Sequence, residues 1–349
     1  MKKGEISSNS IIVVSSFLIL MVLLIGTYFL ITALPSGSIE MCGDGTESGF
    51  CSKIPPYYCN NGNLIKNASN CGCPENTSIN GKDCSSEFKT FPREISLYYV
   101  LDKERKNLSF TVYKGVYDYL SKNISRIQTY SEENKFKQGD INLYVINNKF
   151  QKSFLLPLVS QIQNLTSDKT DQARIAISLV QNIPYKETDK KTNFTLGTWN
   201  ISSTYLRYPY EVLYENQGIC EEKSNLLVFL LKEMGYETSI IYYPQERHKS
   251  VGIKCPLEHS LNNTGYCFIE TTGPSILSSE EIPYSTIGNL NSEFKIFNMS
   301  SGISLPEKIK EYKDADKFDK ILKSANKNGL NVFEKDSLTK LKQEYFMEF

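Results

Sequence analysis

The pattern of apolar and polar positions is most regular between residues 90 and 285, where it predicts a folded α+β domain. Short runs of β-branched and aromatic residues predict strands, and apolar residues three or four positions apart predict helices. The predicted strands are 95–100, 108–113, 141–145, 238–243, 250–254 and 266–271. The predicted helices are 154–165, 171–181 and an apolar segment from Cys220 to Gly235. Residues 286–349 have mixed charge and predict a C-terminal strand and helical extension.

An uncharged apolar run over residues 11–34 predicts a transmembrane helix. About 24 residues rising about 1.5 Å each would cross a hydrocarbon core of about 30 Å. Lys2 and Lys3 precede the run, so the positive-inside rule places residues 1–10 in the cytoplasm. The alternative is a cleaved signal peptide, whose apolar core usually runs only about 7–15 residues. We therefore expect a single-pass cell-membrane protein with an extracellular C-terminal domain.

Six of the nine cysteines lie within residues 40–86, a segment rich in Gly, Pro, Asn and Ser. It has too few apolar residues to build its own core, and cysteines outside the membrane oxidise. We therefore predict a small disulfide module, with the pairing among its six cysteines left open. The six are Cys42, Cys51, Cys59, Cys71, Cys73 and Cys84. Metal binding is the alternative for Cys71 and Cys73, but no histidine accompanies them.

Composition excludes several classes of function. Lys plus Arg equals Asp plus Glu at 39 each, and no basic stripe or phosphate-cradling Gly loop is present. With only two histidines, a His-rich metal site is excluded. We expect no nucleic-acid partner and no cofactor. Nine Asn-x-Ser/Thr sequons give weak support to an exterior, glycosylated chain: Asn67, Asn76, Asn107, Asn123, Asn164, Asn193, Asn200, Asn262 and Asn298.

The two strands at 250–254 and 266–271 carry Cys255 and Cys267 on either side of a polar loop. An antiparallel hairpin would bring these cysteines together, and a bridge between them would be worth about 3 kcal/mol. Cys220 is then left without a partner. An odd cysteine in an exported protein indicates either an intermolecular bridge or a reactive thiol.

The position of Cys220 favours a reactive thiol. It opens the apolar helix, where free backbone N–H groups and the helix dipole favour a thiolate, and Gly218 permits a tight approach from the loop. The alternative is a small apolar residue packed under the helix.

The positions of His248 and Glu270 favour the interpretation of Cys220 as a reactive thiol over that of a packed apolar residue. In a hairpin centred near residue 260, His248 lies opposite about residues 270–272, within reach of the Glu270 side chain. A carboxylate beside an imidazole fixes its tautomer and stabilises the imidazolium. The alternative is a surface histidine with a solvated glutamate, and His259 in the polar loop is expected to be exposed.

These residues resemble the transglutaminase-like superfamily, which has a papain-like fold. The resemblance covers residues 170–275 and rests on Gly218-Ile219-Cys220, the helix that follows, His248 and the segment 268–274. The chain especially resembles archaeal membrane-anchored members, whose surface modules are similar to its cysteine-rich segment. The resemblance implies a nucleophile helix packed on an antiparallel sheet, within a transglutaminase-like domain at 90–285.

By this resemblance Cys220 is the nucleophile, His248 the general base and acid, and Glu270 the orienting carboxylate, where the family usually has Asp. The backbone N–H of Cys220 would be one oxyanion donor, and Trp199 or Gln217 are candidates for the second. The implied activity is acyl transfer or hydrolysis on the amide or peptide bonds of a protein or peptide substrate, with cell-envelope proteins as one candidate substrate. The alternative is an inactive binding or assembly module on the same fold.

Overall fold

The computed structural model of the protein describes residues 20–22, 25, 40–123, 138–188, 190–196, 199–281, 290 and 292–348. The chain divides into two compact units, residues 1–40 and residues 41–349. Of the first unit the described residues are few, and residues 20–22 and 25 are helical. All strands and sites discussed below belong to the second unit.

The prediction of a transmembrane helix over residues 11–34 is contradicted. Among the described residues no helix is both long enough and apolar enough to cross a membrane. A span needs about 20 consecutive helical residues; only residues 20–22 and 25 of the predicted span are described, and the rest of it lies outside the described residues.

The fold class is therefore corrected to a mixed α and β fold with small sheets and disulfides, without the preceding transmembrane helix. The predicted single-pass topology, membrane partner and localisation depended on that helix and are corrected with it. The localisation included a cytoplasmic N-terminus and an anchored extracellular domain. Four disulfides are present. They fit an extracellular or secreted protein, because such bonds persist in oxidising compartments.

The cysteine-rich module, residues 41–86, forms small hairpins held by three disulfides. Its elements are β1 (Tyr57–Asn60), β2 (Asn63–Lys66), α1 (Ala68–Cys71), β3 (Ser78–Asn80) and β4 (Asp83–Ser85). The bonds join Cys42 to Cys59, Cys51 to Cys71 and Cys73 to Cys84. The module packs on the rest of its unit: the Asn164 side chain bonds both backbone groups of Leu64, at 2.9 and 3.0 Å. Leu64 accordingly belongs to the main buried core.

A long hairpin and four helices follow. They are β5 (Pro92–Leu101), β6 (Glu104–Tyr113), α2 (Lys114–Asn123), α3 (Gln138–Ile146), α4 (Lys149–Leu165) and α5 (Lys169–Gln181). The predicted strands at 95–100 and 108–113 and the predicted helices at 154–165 and 171–181 are confirmed. The strand predicted at 141–145 is wrong, since these residues lie in α3.

The remaining elements build a second hairpin, two helices, a four-stranded sheet and the C-terminal helices. They are β7 (Lys191–Leu196), β8 (Trp199–Thr204), α6 (Pro209–Glu215), α7 (Cys220–Glu233), β9 (Thr238–Tyr243), β10 (His248–Lys254), β11 (Tyr266–Ile269), β12 (Lys295–Ser300), α8 (Lys310–Asn328) and α9 (Val332–Tyr345). The sheet is antiparallel with strand order β11-β10-β9-β12.

Helix α7 packs against β9 and β10 of this sheet. It begins after Ile219, whose backbone is extended, and the chain leaves it through Gly235 at φ +95°, a conformation that favours glycine. Residues 222–231 of the helix are all buried. The helix is therefore enclosed on every side, with the sheet on one face and α3, α5 and α6 on others.

Candidate active site

Cys220 is the first residue of α7 and the one free cysteine among the described residues. Its side chain is buried, with the residue 8% exposed. The eight remaining cysteines are all bridged. The thiol therefore lies at the end of the helix where backbone N–H groups lack intrahelical partners and anionic groups are stabilised.

A buried ion pair holds the turn that presents Cys220. The Glu222 carboxylate accepts the backbone N–H of Ile219 at 2.9 Å, which caps the helix. The same carboxylate binds Arg207 through its backbone N–H at 2.7 Å and its guanidinium at 2.9 Å. Both side chains are fully buried. Because all these donors converge on one carboxylate, the first turn of α7 has a fixed position relative to the loop before α6.

Two neighbouring strands bring His248 to Glu270. Val251 pairs with Ile269 and Lys254 with Tyr266, so the β10–β11 register is centred on residue 260, as predicted. Side chains 248 and 270 then lie on the same face of the sheet. The imidazole Nε2 lies 2.8 Å from the Glu270 carboxylate Oε2. The Cys255–Cys267 disulfide joins the same two strands, with 5.7 Å between their Cα atoms.

The Cys220 thiol lies near the imidazole of His248, since it is one of the groups that raise the pKa of this histidine. Since Nε2 faces Glu270, Nδ1 is the nitrogen left for the sulfur. Burial alone would lower the pKa of His248, but the Glu270 carboxylate and Cys220 outweigh it and raise the pKa to about 10. Burial opposes ionisation of Glu270 as well, yet the charge and hydrogen bond of His248 hold the pKa of this carboxyl below its usual value. Both directions describe an imidazolium–carboxylate pair.

The glutamate is held by the backbone that follows it. Its Oε1 accepts the N–H groups of Thr271 and Thr272, both at 2.8 Å. The side chain thus turns back over its own main chain while Oε2 reaches His248. Glutamate has one methylene more than the aspartate that is usual in transglutaminase-like proteins. The folded-back side chain accommodates this methylene while its carboxylate still reaches His248.

Further hydrogen bonds join the segments that follow each candidate residue. The Ser224 hydroxyl, one turn into α7, contacts the Thr271 hydroxyl at 3.1 Å and donates to the Lys249 carbonyl at 3.3 Å. Lys249 in turn forms an ion pair with Glu221. The helix, the first strand and the end of the second are therefore cross-linked immediately beside Cys220, His248 and Glu270.

Lys223 is a polar residue of the site that the sequence analysis did not single out. It is fully buried in α7 and donates to the carbonyls of Gln181, Ile183 and Thr272. The amide of Gln181 donates to the carbonyl of Glu270 at 2.9 Å. The signal in the sequence was a pair of charged residues, Glu222 and Lys223, in the first turn of a segment whose long apolar run predicts a buried helix.

Other candidate residues are not brought to the thiol by the described contacts. The Gln217 amide, a candidate oxyanion donor, donates to Glu215 at 3.1 Å. Trp199 lies in β8, and its side chain is outside what the structure describes. His259, expected to be exposed, instead stacks on Tyr312 with 3.9 Å between ring centroids. The backbone N–H of Cys220 remains the candidate oxyanion donor.

A cavity of about 450 Å³ lies beside the site and does not include it. It is formed by α5, α8, α9 and the end of β5, and Gln181 and Ser275 reach it. Cys220, His248 and Glu270 are not among its lining residues. Within the described part of the chain, no group of three or more His, Cys, Asp or Glu side chains is arranged to hold a metal ion.

Comparison with known proteins gives few matches. No protein-family model and no curated protein matches the chain. Among solved structures, the chain is similar to a crystal structure described as a "putative protease" from Parabacteroides distasonis, at 13% sequence identity and a TM-score of 0.27. The match covers 61% of this chain and 40% of that one, so the chain spans less than half of its length. A similarity this low leaves the function to be argued from the site.

Proposed function

We propose that this protein is a thiol enzyme that transfers acyl groups through a Cys220 thioester, in the manner of transglutaminase-like proteases and cross-linkers. The observation that carries the proposal is the buried 2.8 Å contact between His248 and Glu270, beside the free thiol at the start of α7. A surface histidine or a core cysteine would not need a buried carboxylate held by two backbone N–H groups. Such a carboxylate orients an imidazole and stabilises its charged form.

In the proposed reaction, the Cys220 thiolate, paired with the His248 imidazolium, attacks the carbonyl carbon of an amide. The C=O π bond opens to an oxyanion, which the backbone N–H of Cys220 stabilises. When the oxyanion collapses, the C–N bond breaks and His248 protonates the departing amine. The product is a thioester on Cys220, with Glu270 ionised throughout.

The second half of the reaction decides between hydrolysis and cross-linking. His248 takes a proton from an incoming water or amine, which attacks the thioester and releases Cys220 as the thiolate. Water gives a protease or amidase, and a lysine amine gives an isopeptide cross-link. Hydrolysis is the default outcome in water, because cross-linking needs a site that holds an amine and excludes water.

The first experiment measures alkylation of Cys220 by iodoacetamide under non-reducing conditions. The other eight cysteines are bridged, so intact mass reports this thiol alone. We expect the folded protein at pH 7 to react at least about tenfold faster than the same chain unfolded in urea, since His248 supports the thiolate. His248→Ala should remove this advantage, and His259→Gln, at the only other histidine, should keep it.

A second measurement follows acyl transfer itself. With p-nitrophenyl acetate we expect a burst of nitrophenolate and an acetyl thioester on Cys220, both absent in Cys220→Ser. If folded wild-type protein reacts no faster than the unfolded chain and forms no acyl-enzyme, the chain is better described as a binding or assembly module. A non-reducing gel showing a dimer lost in Cys220→Ser would contradict the nucleophile assignment in another way.

A further inference from the structure

Lys223 has an unusual environment for a lysine. It lies three residues after Cys220 in α7 and is fully buried. Its ammonium donates to the carbonyls of Ile183 at 2.5 Å, Thr272 at 3.1 Å and Gln181 at 3.3 Å. An ammonium has three N–H donors, and a neutral amine has two. The three acceptors therefore match the charged form.

The acceptors of Lys223 belong to the segments that surround the candidate triad. The backbone N–H of Thr272 donates to Glu270 Oε1. The carbonyl of the same residue, Thr272, accepts from Lys223. Gln181, at the end of α5, donates through its side chain to the Glu270 carbonyl. Ile183 precedes Pro184, whose carbonyl accepts the N–H of Gly218 at 3.2 Å, just before Cys220. The Lys223 side chain thus links the loop after Glu270 to residues 181–183, and the adjacent Pro184 bonds the turn before Cys220.

Charge gives the second argument. With Cys220 as thiolate, His248 as imidazolium and Glu270 as carboxylate, the three candidate residues carry a net charge of −1. A buried net charge is costly unless a counter-charge lies nearby. Burial lowers the pKa of Lys223 to about 7, and the negative charges of Glu270 and Cys220 act in the opposite direction, towards the protonated amine. An ammonium at this position makes the group of four neutral.

We propose that Lys223 is a positioning residue for the acyl-transfer site: its buried ammonium fixes the Glu270 loop against the nucleophile helix and offsets the charge of the thiolate. The proposal rests on the function proposed above for Cys220, His248 and Glu270. It assigns to Lys223 no contact with substrate and no proton transfer. Its consequence is that thiolate formation at Cys220 depends on a charge three residues away in the same helix.

The test is the pH profile of Cys220 alkylation by iodoacetamide in full-length Lys223→Met, which keeps the unbranched chain up to the fourth atom and removes the charged amine. Without the ammonium, forming the thiolate leaves an uncompensated negative charge, so we expect the midpoint of the profile to move upward by about one pH unit or more. Below the midpoint the rate should fall at least about tenfold. Lys223→Arg, which keeps the charge, should move the midpoint back towards the wild type.

The matched control is Lys232→Met, in the last turn of the same helix, where the amine bonds the side chain of Asn147 instead. We expect its profile to coincide with that of the wild type. Thermal melts of each variant separate loss of folding from loss of charge. An unchanged midpoint in folded Lys223→Met, with the wild type still reacting faster than its unfolded chain, overturns this inference and leaves the proposed function standing. A wild type without any advantage over its unfolded chain overturns the function itself.

A measurement without substitution covers the case in which neither variant folds. In spectra of the wild-type chain labelled with 13Cε-lysine, we expect one amine that is protonated at pH 6 and titrates well below the others. If every lysine amine titrates in the ordinary range, or if the displaced one is already neutral at pH 6, Lys223 does not carry the charge that the inference requires.

Discussion

The cysteine-rich module and the surroundings of Cys220 are stabilised by different kinds of interaction. The module has three disulfides within about forty-five residues and only a few buried apolar side chains of its own, such as Ile54 and Leu64. The site has a helix buried on all sides, a four-stranded sheet and fully buried charges at Arg207, Glu222, Lys223 and Glu270.

The difference indicates what each region must achieve. A disulfide stabilises a fold mainly by reducing the entropy of the unfolded chain, so it depends little on the packing around it. A buried charge tolerates only a geometry in which its partners are present, because an unpaired charge is very costly there. The disulfides thus stabilise the folded module without fixing its side-chain packing. The buried charges stabilise only one arrangement of the residues around Cys220. The predictions below test that contrast.

The largest expected effect comes from the buried ion pair under Cys220. Glu222→Gln keeps the shape of the side chain but leaves the buried Arg207 guanidinium with Glu215 as its remaining carboxylate partner, at 2.7 Å. We therefore expect a loss of about 3 kcal/mol in the free energy of unfolding. Urea denaturation measures it. The control is Glu233→Gln at the other end of α7. Its partner Lys152 is partly exposed, so loss of this ion pair should cost less than about 1 kcal/mol. Equal losses in the two variants would contradict the contrast.

Removing a disulfide should have a smaller effect, and its consequence should depend on where the bond lies. Replacing Cys51 and Cys71 together by Ser opens a loop with a sequence separation of 20, and we expect a cost of about 3 kcal/mol with alkylation of Cys220 unchanged. Replacing Cys255 and Cys267 should cost a similar amount, with a separation of 12. The second pair holds the strands that carry His248 and Glu270, so it should also slow alkylation. Equal alkylation rates in both double variants would show that the hairpin needs no such support.

Local pattern was sufficient to predict much of the region after residue 220. The apolar run from Leu226 with Gly235 at its end predicted α7, and the polar loop between Cys255 and Cys267 predicted the register that aligns His248 with Glu270. Both depend on short-range periodicity and turn residues. The catalytic roles of these residues stay predictions.

Interactions between distant segments could not be predicted in this way. The strand predicted at 141–145 rested on a short run of β-branched and aromatic residues. The buried positions in α3 are 141, 142, 145 and 146, a helical spacing that includes a polar residue. Asn142 is buried because it bonds Asn225, which lies far along the chain. The three carbonyl acceptors of Lys223 likewise come from separate segments. The transmembrane prediction is contradicted on a different ground: no described helix is both long enough and apolar enough to cross a membrane.

The measurement that tests the site most directly is the titration of the imidazoles by NMR. The chain has only two histidines, so His259→Gln identifies the signal of His248. We predict that His248 remains an imidazolium well above neutral pH, with its pKa raised from 6.5 to about 10 by Glu270 and Cys220 despite burial. Glu270→Gln should bring the pKa down, because the carboxylate charge is removed. A His248 that titrates near 6.5 in the wild type, or whose pKa is the same in Glu270→Gln, would contradict the assembly of Cys220, His248 and Glu270 into one site.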